Sequence, residues 1–278
     1  MAFLDLLKAI VFGIVEGVTE WLPISSTGHM ILLERIMPLN VSARFLEMFL
    51  VVIQLGAILA VVLLYWHRLW PFARSERSGR IIPKRRTLNL WCKILVACVP
   101  AAVVGVLWDD VFNKLFYNYV CVAIALIVFG ILFIVIERRN EDLRPTINHI
   151  SEITFETAAI IGLFQLIAAI FPGTSRSGAT IIGALLIGVS RKTATEFTFF
   201  LAVPVMIGAS LLKIVKLGGG FSGMEIMTLI VGMVVAFIVS VISIRFLVGY
   251  IKKHDFKVFG WYRIALGAVV LCFAAFVH

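Results

Sequence analysis

The chain has 278 residues, of which 61% are hydrophobic and 15% charged, with 25 Lys and Arg against 16 Asp and Glu. A soluble domain is about 45–50% apolar and about 25% charged, so this chain lacks the polar surface to cover itself in water, which excludes a soluble enzyme, a disordered protein and a disulfide scaffold. Its formal charge of +9 does not point to nucleic acid, because the basic residues stand in short tracts between apolar runs, where they orient a membrane protein.

The first twenty residues lack a basic n-region and carry Asp5, Glu16 and Glu20 through their apolar part, so no cleaved signal peptide is expected. Residues 3–37 read as two short helices broken by the polar turn Trp21–His29. A first span is expected at 44–66, followed by a basic linker over 67–87, then spans at 88–108 and 115–137 and a second linker at 138–154. Residues 155–190 form a second broken pair around Phe171–Gly178, and spans at 194–213, 224–247 and 258–277 complete the chain. Each of these six spans is near the 20 residues that cross a bilayer as a helix, with Lys93, Lys213 and Arg263 expected to snorkel to the interface. Cys92, Cys98, Cys121 and Cys272 lie in apolar runs without metal-ligand spacing and read as buried free thiols.

The fold class is therefore an all-α polytopic membrane protein with six transmembrane helices and two re-entrant helix pairs. A shift of 149 residues places Gly13 on Gly162, Glu16 on Gln165, Pro23 on Pro172, Ser26 on Ser175 and Glu47 on Glu196. One membrane domain, 1–278, would thus hold two repeats, about 1–137 and 155–278, joined by 138–154. The linkers at 67–87, 138–154, 191–192 and 250–257 hold 15 Lys and Arg, and the opposite linkers hold 5. With the rich set in the cytoplasm, both termini lie outside and the two broken pairs dip in from opposite faces. Inverted repeats with broken helices meeting near the midplane are how a polar site is built inside a bilayer.

The chemistry concentrates at the two breaks. Glu16 and Glu20, four apart, share one helix face, at a cost in lipid of about 2.5–3.5 kcal/mol each; the pair reads as a proton acceptor, a cation site, or both. The turn beyond offers Ser25, Ser26, Thr27, Gly28 and His29, hydroxyls and free N–H groups suited to a phosphate cradle. A serine with a histidine and a glutamate close by has the makings of an activated nucleophile. The second turn carries Thr174, Ser175, Arg176, Ser177, Gly178 and Thr180. Arg176 is the one arginine between residues 157 and 190; it needs an anion, from Glu16, Glu20 or a ligand, and its fork suits phosphate. Together the turns make a phosphoryl-transfer constellation. Gln54, inside a span, faces the site or a neighbouring helix. Glu47 and Glu196 read equally as interfacial charges, and His67, His149, His254 and His278 as solvent residues. The tract 80–86 reads as a topology signal facing anionic lipid.

The run Glu16–His29 resembles the first signature of the bacterial undecaprenyl-pyrophosphate phosphatases, the bacitracin-resistance proteins, and Pro172–Thr180 resembles their second, Pro-Gly-x-Ser-Arg-Ser-Gly-x-Thr. Val51–Ala57 and Glu196–Pro204 are also similar to that family, and the resemblance covers essentially the whole chain. It implies removal of the terminal phosphate from the C55 isoprenyl pyrophosphate lipid, which recycles a carrier for peptidoglycan synthesis and counters bacitracin. By the same resemblance Ser26 is the nucleophile, Glu20 and His29 act as base and acid, and Glu16 assists or helps hold a divalent cation, Mg²⁺ or Ca²⁺, with Glu20. Ser25, Thr27, Gln54, Thr174, Ser175, Arg176, Ser177, Gly178 and Thr180 would bind the pyrophosphate. His29 as nucleophile, or water oriented by Ser26, stays open. The expected partners are the polyprenyl pyrophosphate and membrane lipids, with no nucleic acid and no organic cofactor, and a homodimer is compatible. The expected location is the bacterial cell membrane.

Three other classes compete. An ion-coupled transporter or a lipid flippase uses the same architecture. An acid-phosphatase-like enzyme with a Ser-Arg-x5-His motif needs a histidine where Ile182 stands. A non-catalytic scaffold leaves the polar clusters at two helix breaks unexplained. The charge asymmetry predicts that a cysteine placed at residue 80 reacts with impermeant maleimide only after the membrane is opened; labelling of intact cells would refute this orientation.

Overall fold

Side-chain caps open most of the helices where the polar turns stand. Ser42, Asn118, Thr154, Ser190 and Ser222 each accept a backbone N–H of the first turn that follows, as N-cap residues do. The computed structural model describes residues 2–74 and 79–277. Residues 75–78 of the first basic linker, and His278, lie outside the described residues. In chain order the helices are α1 (Ala2–Thr19), α2 (Ser26–Ile36), α3 (Ala43–Val52), α4 (Gln54–Leu64), α5 (Trp66–Leu69), α6 (Arg85–Phe116), α7 (Tyr119–Arg139), α8 (Phe155–Ile170), α9 (Arg176–Leu186), α10 (Arg191–Leu217), α11 (Gly223–Tyr250) and α12 (Lys257–Val277). Between α5 and α6, strands β1 (Phe72–Arg74) and β2 (Ile81–Pro83) pair antiparallel, an element the hydropathy pattern does not announce.

Among the described residues, six stretches are long and apolar enough to cross a bilayer: Ala43–Leu64, Arg85–Trp108, Tyr119–Arg139, Arg191–Leu217, Gly223–Tyr250 and Lys257–Ala275. They coincide with the six expected spans to within a few residues, and the chain is an all-α polytopic membrane protein. At 1.5 Å per residue, α2, α8 and α9 are each shorter than the roughly 30 Å hydrocarbon layer, so none of them crosses it alone.

The first span carries one irregular turn at Ile53, after which Gln54 opens α4. Just beyond the irregular turn, Gly56 lies so close to α11 that a Cβ there would collide with the Met233 carbonyl oxygen. Other expectations need correction. The cysteines are unbonded but not buried, Cys92 and Cys272 being exposed and Cys98 and Cys121 half-buried. In a bilayer the outer face of a span is as apolar as its inner face, so an apolar run does not place a thiol inside. Lys93 and Arg263 do not snorkel. Both are buried within the protein, Lys93 over the Phe155 ring and Arg263 at 0% exposure.

Packing runs between the halves of the sequence. α1 lies along α11, α8 along α6, and α7 along α12, while α10 touches α3, α4, α6 and α9. Glycine permits the closest of these approaches. A Cβ on Gly13 would meet the Gly232 carbonyl oxygen of α11 at 2.6 Å, and one on Gly162 would meet that of Ala97 in α6 at 2.5 Å. The largest core gathers around α9 and α10, where every residue from Ser177 to Leu185 is buried. Exposed Leu, Ile, Val and Phe side chains on α6 and α11 face outward, as lipid-facing surface must. Two ion pairs tie the bundle at separate points: Glu47 of α3 to Lys213 of α10 at 2.7 Å, and Glu196 of α10 to Arg68 of α5 at 2.6 Å. His67, His149 and His254 are exposed.

Overpacking a helix crossing costs about 1–3 kcal/mol. Gly162→Val is therefore expected to lower the melting temperature of the purified protein in detergent. Gly249→Ala, with open space around its Cβ position, should leave it unchanged or slightly raised.

Candidate active site

Both breaks end in the same local device. Ser25 caps α2 with φ 73° and Ser175 caps α9 with φ 68°, and each hydroxyl accepts from the glycine N–H three residues on, Gly28 at 3.3 Å and Gly178 at 3.2 Å. Among the described residues they are the only non-glycine residues with positive φ. A non-glycine residue held in a sparsely populated region costs about 1–3 kcal/mol and persists only where the surroundings over-determine it. The sequence register is thereby corrected. At the turns the two positive-φ caps make Ser25, not Ser26, the structural counterpart of Ser175, although equal spacing from Pro23 and Pro172 pairs Ser26 with Ser175 in the sequence. Arg176 therefore stands opposite Ser26, one residue past each cap.

Glu20 joins the two turns. Its Oε2 accepts the Ser26 hydroxyl at 2.8 Å and its Oε1 accepts Arg176 Nη2 at 3.0 Å, while its main-chain carbonyl accepts the Ser177 hydroxyl at 3.3 Å. Arg176 also donates Nη1 to the Thr198 carbonyl at 3.1 Å. Its Nε–H, buried, has no hydrogen-bond partner among the described residues. The Glu20 and Arg176 side chains are 6% and 12% exposed, so this ion pair is largely out of water. Removing one member of a buried pair leaves the other uncompensated.

The side chains of Ser26, Glu20 and Arg176 thus come together, while Ser177 and Thr180 reach these residues only through main-chain carbonyls. The Ser25 and Ser175 hydroxyls are engaged as caps, and Ser175 also bonds Ser177 at 3.1 Å. Thr180 is fully buried, its hydroxyl bonded to Thr198 and to the Arg176 and Ser177 carbonyls, so it ties α9 to α10. Thr27 is half-buried beside Ser26. Gly178 supplies the capped N–H. Gln54 makes no side-chain hydrogen bond among the described residues. His29 has both nitrogens engaged, Nδ1 with the Ser25 carbonyl at 2.7 Å and Nε2 with the Tyr262 hydroxyl at 2.7 Å. A carbonyl only accepts, so Nδ1 carries hydrogen, and in the neutral ring Nε2 accepts from Tyr262.

Three further groups are orphaned. Among the described residues, both carboxylate oxygens of Glu16, both amide atoms of Gln165 and the hydroxyl of Thr174 are buried without a hydrogen-bond partner. Such groups call for a ligand, water or ion. Glu16 lies within electrostatic reach of Glu20 and Arg176. Among the described residues no three of His, Cys, Asp and Glu gather into a metal cluster. Glu16 and Glu20 nevertheless fit a hard cation of the kind that takes one or two carboxylates and completes its shell from phosphate and water.

A cavity of about 390 Å³ reaches this polar centre. Arg176 and Gln165 line it together with small apolar residues of α6, α8 and α10, among them Ala101, Gly105, Ala168 and Gly208, and Lys213 lies along it. The sequence pattern misses Thr198, Tyr262 and Arg263. Thr198 and Tyr262 carry no compositional signal. Arg263 does carry one: it is a cation in an apolar span, the argument that singles out Arg176.

The family described as bacitracin resistance protein BacA matches residues 9–269. An undecaprenyl-diphosphatase of Desulfitobacterium hafniense is 66% identical over 273 residues, 98% of this chain and 97% of that one. Undecaprenyl-diphosphatase 1 of Clostridium acetobutylicum is 60% identical and an undecaprenyl-diphosphatase of Enterococcus faecalis 58%, each covering 98% of both chains.

The geometry ranks the side chains by their structural cost. Glu20→Ala strands Arg176 and is expected to destabilise the protein by about 3–5 kcal/mol. Ser26→Ala removes one hydrogen bond and should cost about 0.5–1.5 kcal/mol. Thermal unfolding of the two variants in detergent checks the order.

Proposed function

The chain belongs to the bacitracin resistance protein BacA family and hydrolyses undecaprenyl pyrophosphate to undecaprenyl phosphate and inorganic phosphate, and within that activity we propose that Ser26 is the nucleophile and Glu20 its base. The observation that carries these roles is the 2.8 Å hydrogen bond from Ser26 Oγ to Glu20 Oε2, with the other carboxylate oxygen held by Arg176. A nucleophile bonded to a base that a third group orients is the arrangement covalent catalysis requires.

The substrate's two ends meet different chemistry. The isoprenyl chain runs along the small apolar residues of the cavity, and the pyrophosphate reaches Arg176, whose unpartnered Nε–H is a ready donor. Thr174 and Gln165 add buried polar groups without partners, and the N-terminal turns of α2 and α9 present backbone N–H groups to negative charge. Ser26 Oγ attacks the terminal phosphorus as Glu20 takes its proton. The bond to the bridging oxygen breaks, and undecaprenyl phosphate leaves with the electron pair. Water then attacks the phosphoserine, Glu20 returns its proton to Ser26 Oγ, and the protons of the water leave with inorganic phosphate. Arg176 neutralises charge on the transferring group throughout. His29, bonded to Ser25 and Tyr262, keeps the first turn in shape. A divalent cation, held by Glu16 with Glu20, would supply further charge neutralisation to the pyrophosphate when bound.

The surrounding architecture follows the same reasoning. The two halves are inverted repeats, supported by the matching serine caps and the reciprocal packing of α1 on α11 and α8 on α6. Both termini lie outside, supported by the basic linkers. The cavity then opens toward the outer face, because Lys213 belongs to the basic-poor side of the protein. Recycling of the lipid carrier for peptidoglycan at the bacterial cell membrane accords with such an orientation.

Purified protein in detergent, with no ion gradient, is expected to release one phosphate per undecaprenyl pyrophosphate and to leave the monophosphate. Glu20→Gln should lower kcat by about 10²–10⁴-fold, and Ser26→Ala should abolish turnover. Full kcat in Ser26→Ala would remove the covalent step, and assay with and without a chelator reads the cation requirement. Release of no phosphate would favour transport instead.

A further inference from the structure

Arg263, in the first half of α12, is fully buried and makes no ion pair among the described residues. Its guanidinium instead donates to three main-chain carbonyls: Nη1 to Pro23 at 3.3 Å, and Nη2 to Gly173 at 3.0 Å and to Thr174 at 2.8 Å. Pro23 belongs to the first break and Gly173 and Thr174 to the second, so one planar group from a third element spans both. The Phe129 ring lies 5.8 Å from the guanidinium carbon.

This placement is costly on two counts. A cation without a carboxylate is expensive inside a bilayer protein. It also stands near the positive end of a helix, since a Cβ on Gly178, in the first turn of α9, would come 3.1 Å from Arg263 Nη1. A hydrophobic side chain would fill the space more cheaply if only packing were required. The carbonyls it holds explain the position. Thr174 immediately precedes Ser175, and Pro23 stands two residues before Ser25, the two residues held at positive φ. The fork thus holds both strained caps from behind, and with them the spacing across which Glu20 of one turn meets Arg176 and Ser177 of the other.

We propose that Arg263 is a positioning residue for hydrolysis: it does not touch the substrate, but sets the two turns so that the Glu20–Ser26 pair and the Arg176 clamp face the same phosphoryl group. The proposal rests on the phosphatase assignment above. The neighbouring Tyr262, bonded to His29 of α2, braces the first turn from the same helix. Lysine at 263 keeps the charge, but its single nitrogen lacks the planar fork that reaches carbonyls of both turns.

The experiment compares Arg263→Lys, Arg263→Gln and Arg263→Ala with the parent full-length protein in detergent, reading kcat, KM and melting temperature on undecaprenyl pyrophosphate. Parental hydrolysis, measured in the same series, tests the phosphatase assignment separately. The expected result is a folded Arg263→Lys whose kcat falls by about 10²-fold, the scale of a 1 Å misplacement, with KM nearly unchanged. Added guanidinium ion is expected to restore part of the lost kcat to Arg263→Ala. Two results would overturn the proposal. One is a folded Arg263→Lys or Arg263→Gln with parental kcat. The other is unfolding of every variant, Arg263→Lys included, which would make the residue a strut of the bundle with no separate part in aiming the site.

Discussion

Glu20 and Arg176 come from opposite halves of the chain and meet at 3.0 Å with almost no water around them. In a medium that solvates no charge, each is tolerable because the other is present, and that mutual need makes the two helix breaks one site. The remaining polar contacts build outward from the pair. Ser26 donates to the free carboxylate oxygen, Ser177 to the Glu20 main chain, and Arg176 to the carbonyl of Thr198. An apolar pair of equal volume would hold the turns together as well, but would offer nothing to a phosphate.

Close packing makes the meeting possible. Glycines on α1 and α8 let these helices lie against the backbones of α11 and α6, which carries their broken ends to the middle of the protein. The serine caps, held at positive φ, then lead the chain into α2 against α1 and into α9 against α8. Arg263 has its donors on carbonyls of both turns, so the strained segments are held by α12 as well as by the Glu20–Arg176 pair.

The chemistry follows from what these contacts leave unfilled. At and around the ion pair stand groups with no hydrogen-bond partner among the described residues: the carboxylate of Glu16, the amide of Gln165, the hydroxyl of Thr174 and the Nε–H of Arg176. They offer both signs of charge and both senses of hydrogen bond, as a pyrophosphate and a counter-cation together would use. The adjoining cavity is walled by small apolar side chains, which suits a long isoprenyl chain better than a polar solute. An anionic head on an apolar tail is the form of undecaprenyl pyrophosphate, which this chain hydrolyses.

Composition and hydropathy pattern mark the class of protein, the six spans and the two turns that carry the candidate site. Hydrophobic run length and the cost of charge in lipid act locally and can be read one segment at a time. The pairing of Glu16 with Glu20 on a helix face, and the isolation of Arg176, were legible for the same reason. Local signals could not show which hydroxyls are spent as caps or helix ties, as those of Ser25 and Thr180 are. Nor could they show that Ser25 is the counterpart of Ser175, because register at a turn depends on backbone dihedral angles. The burial of Arg263 was decided only by the tertiary structure, since an arginine in a span can reach the interface or turn inward, and its neighbours make the choice. The same holds for His29 and Tyr262, which lie far apart in the chain and touch only because α12 passes beside α2.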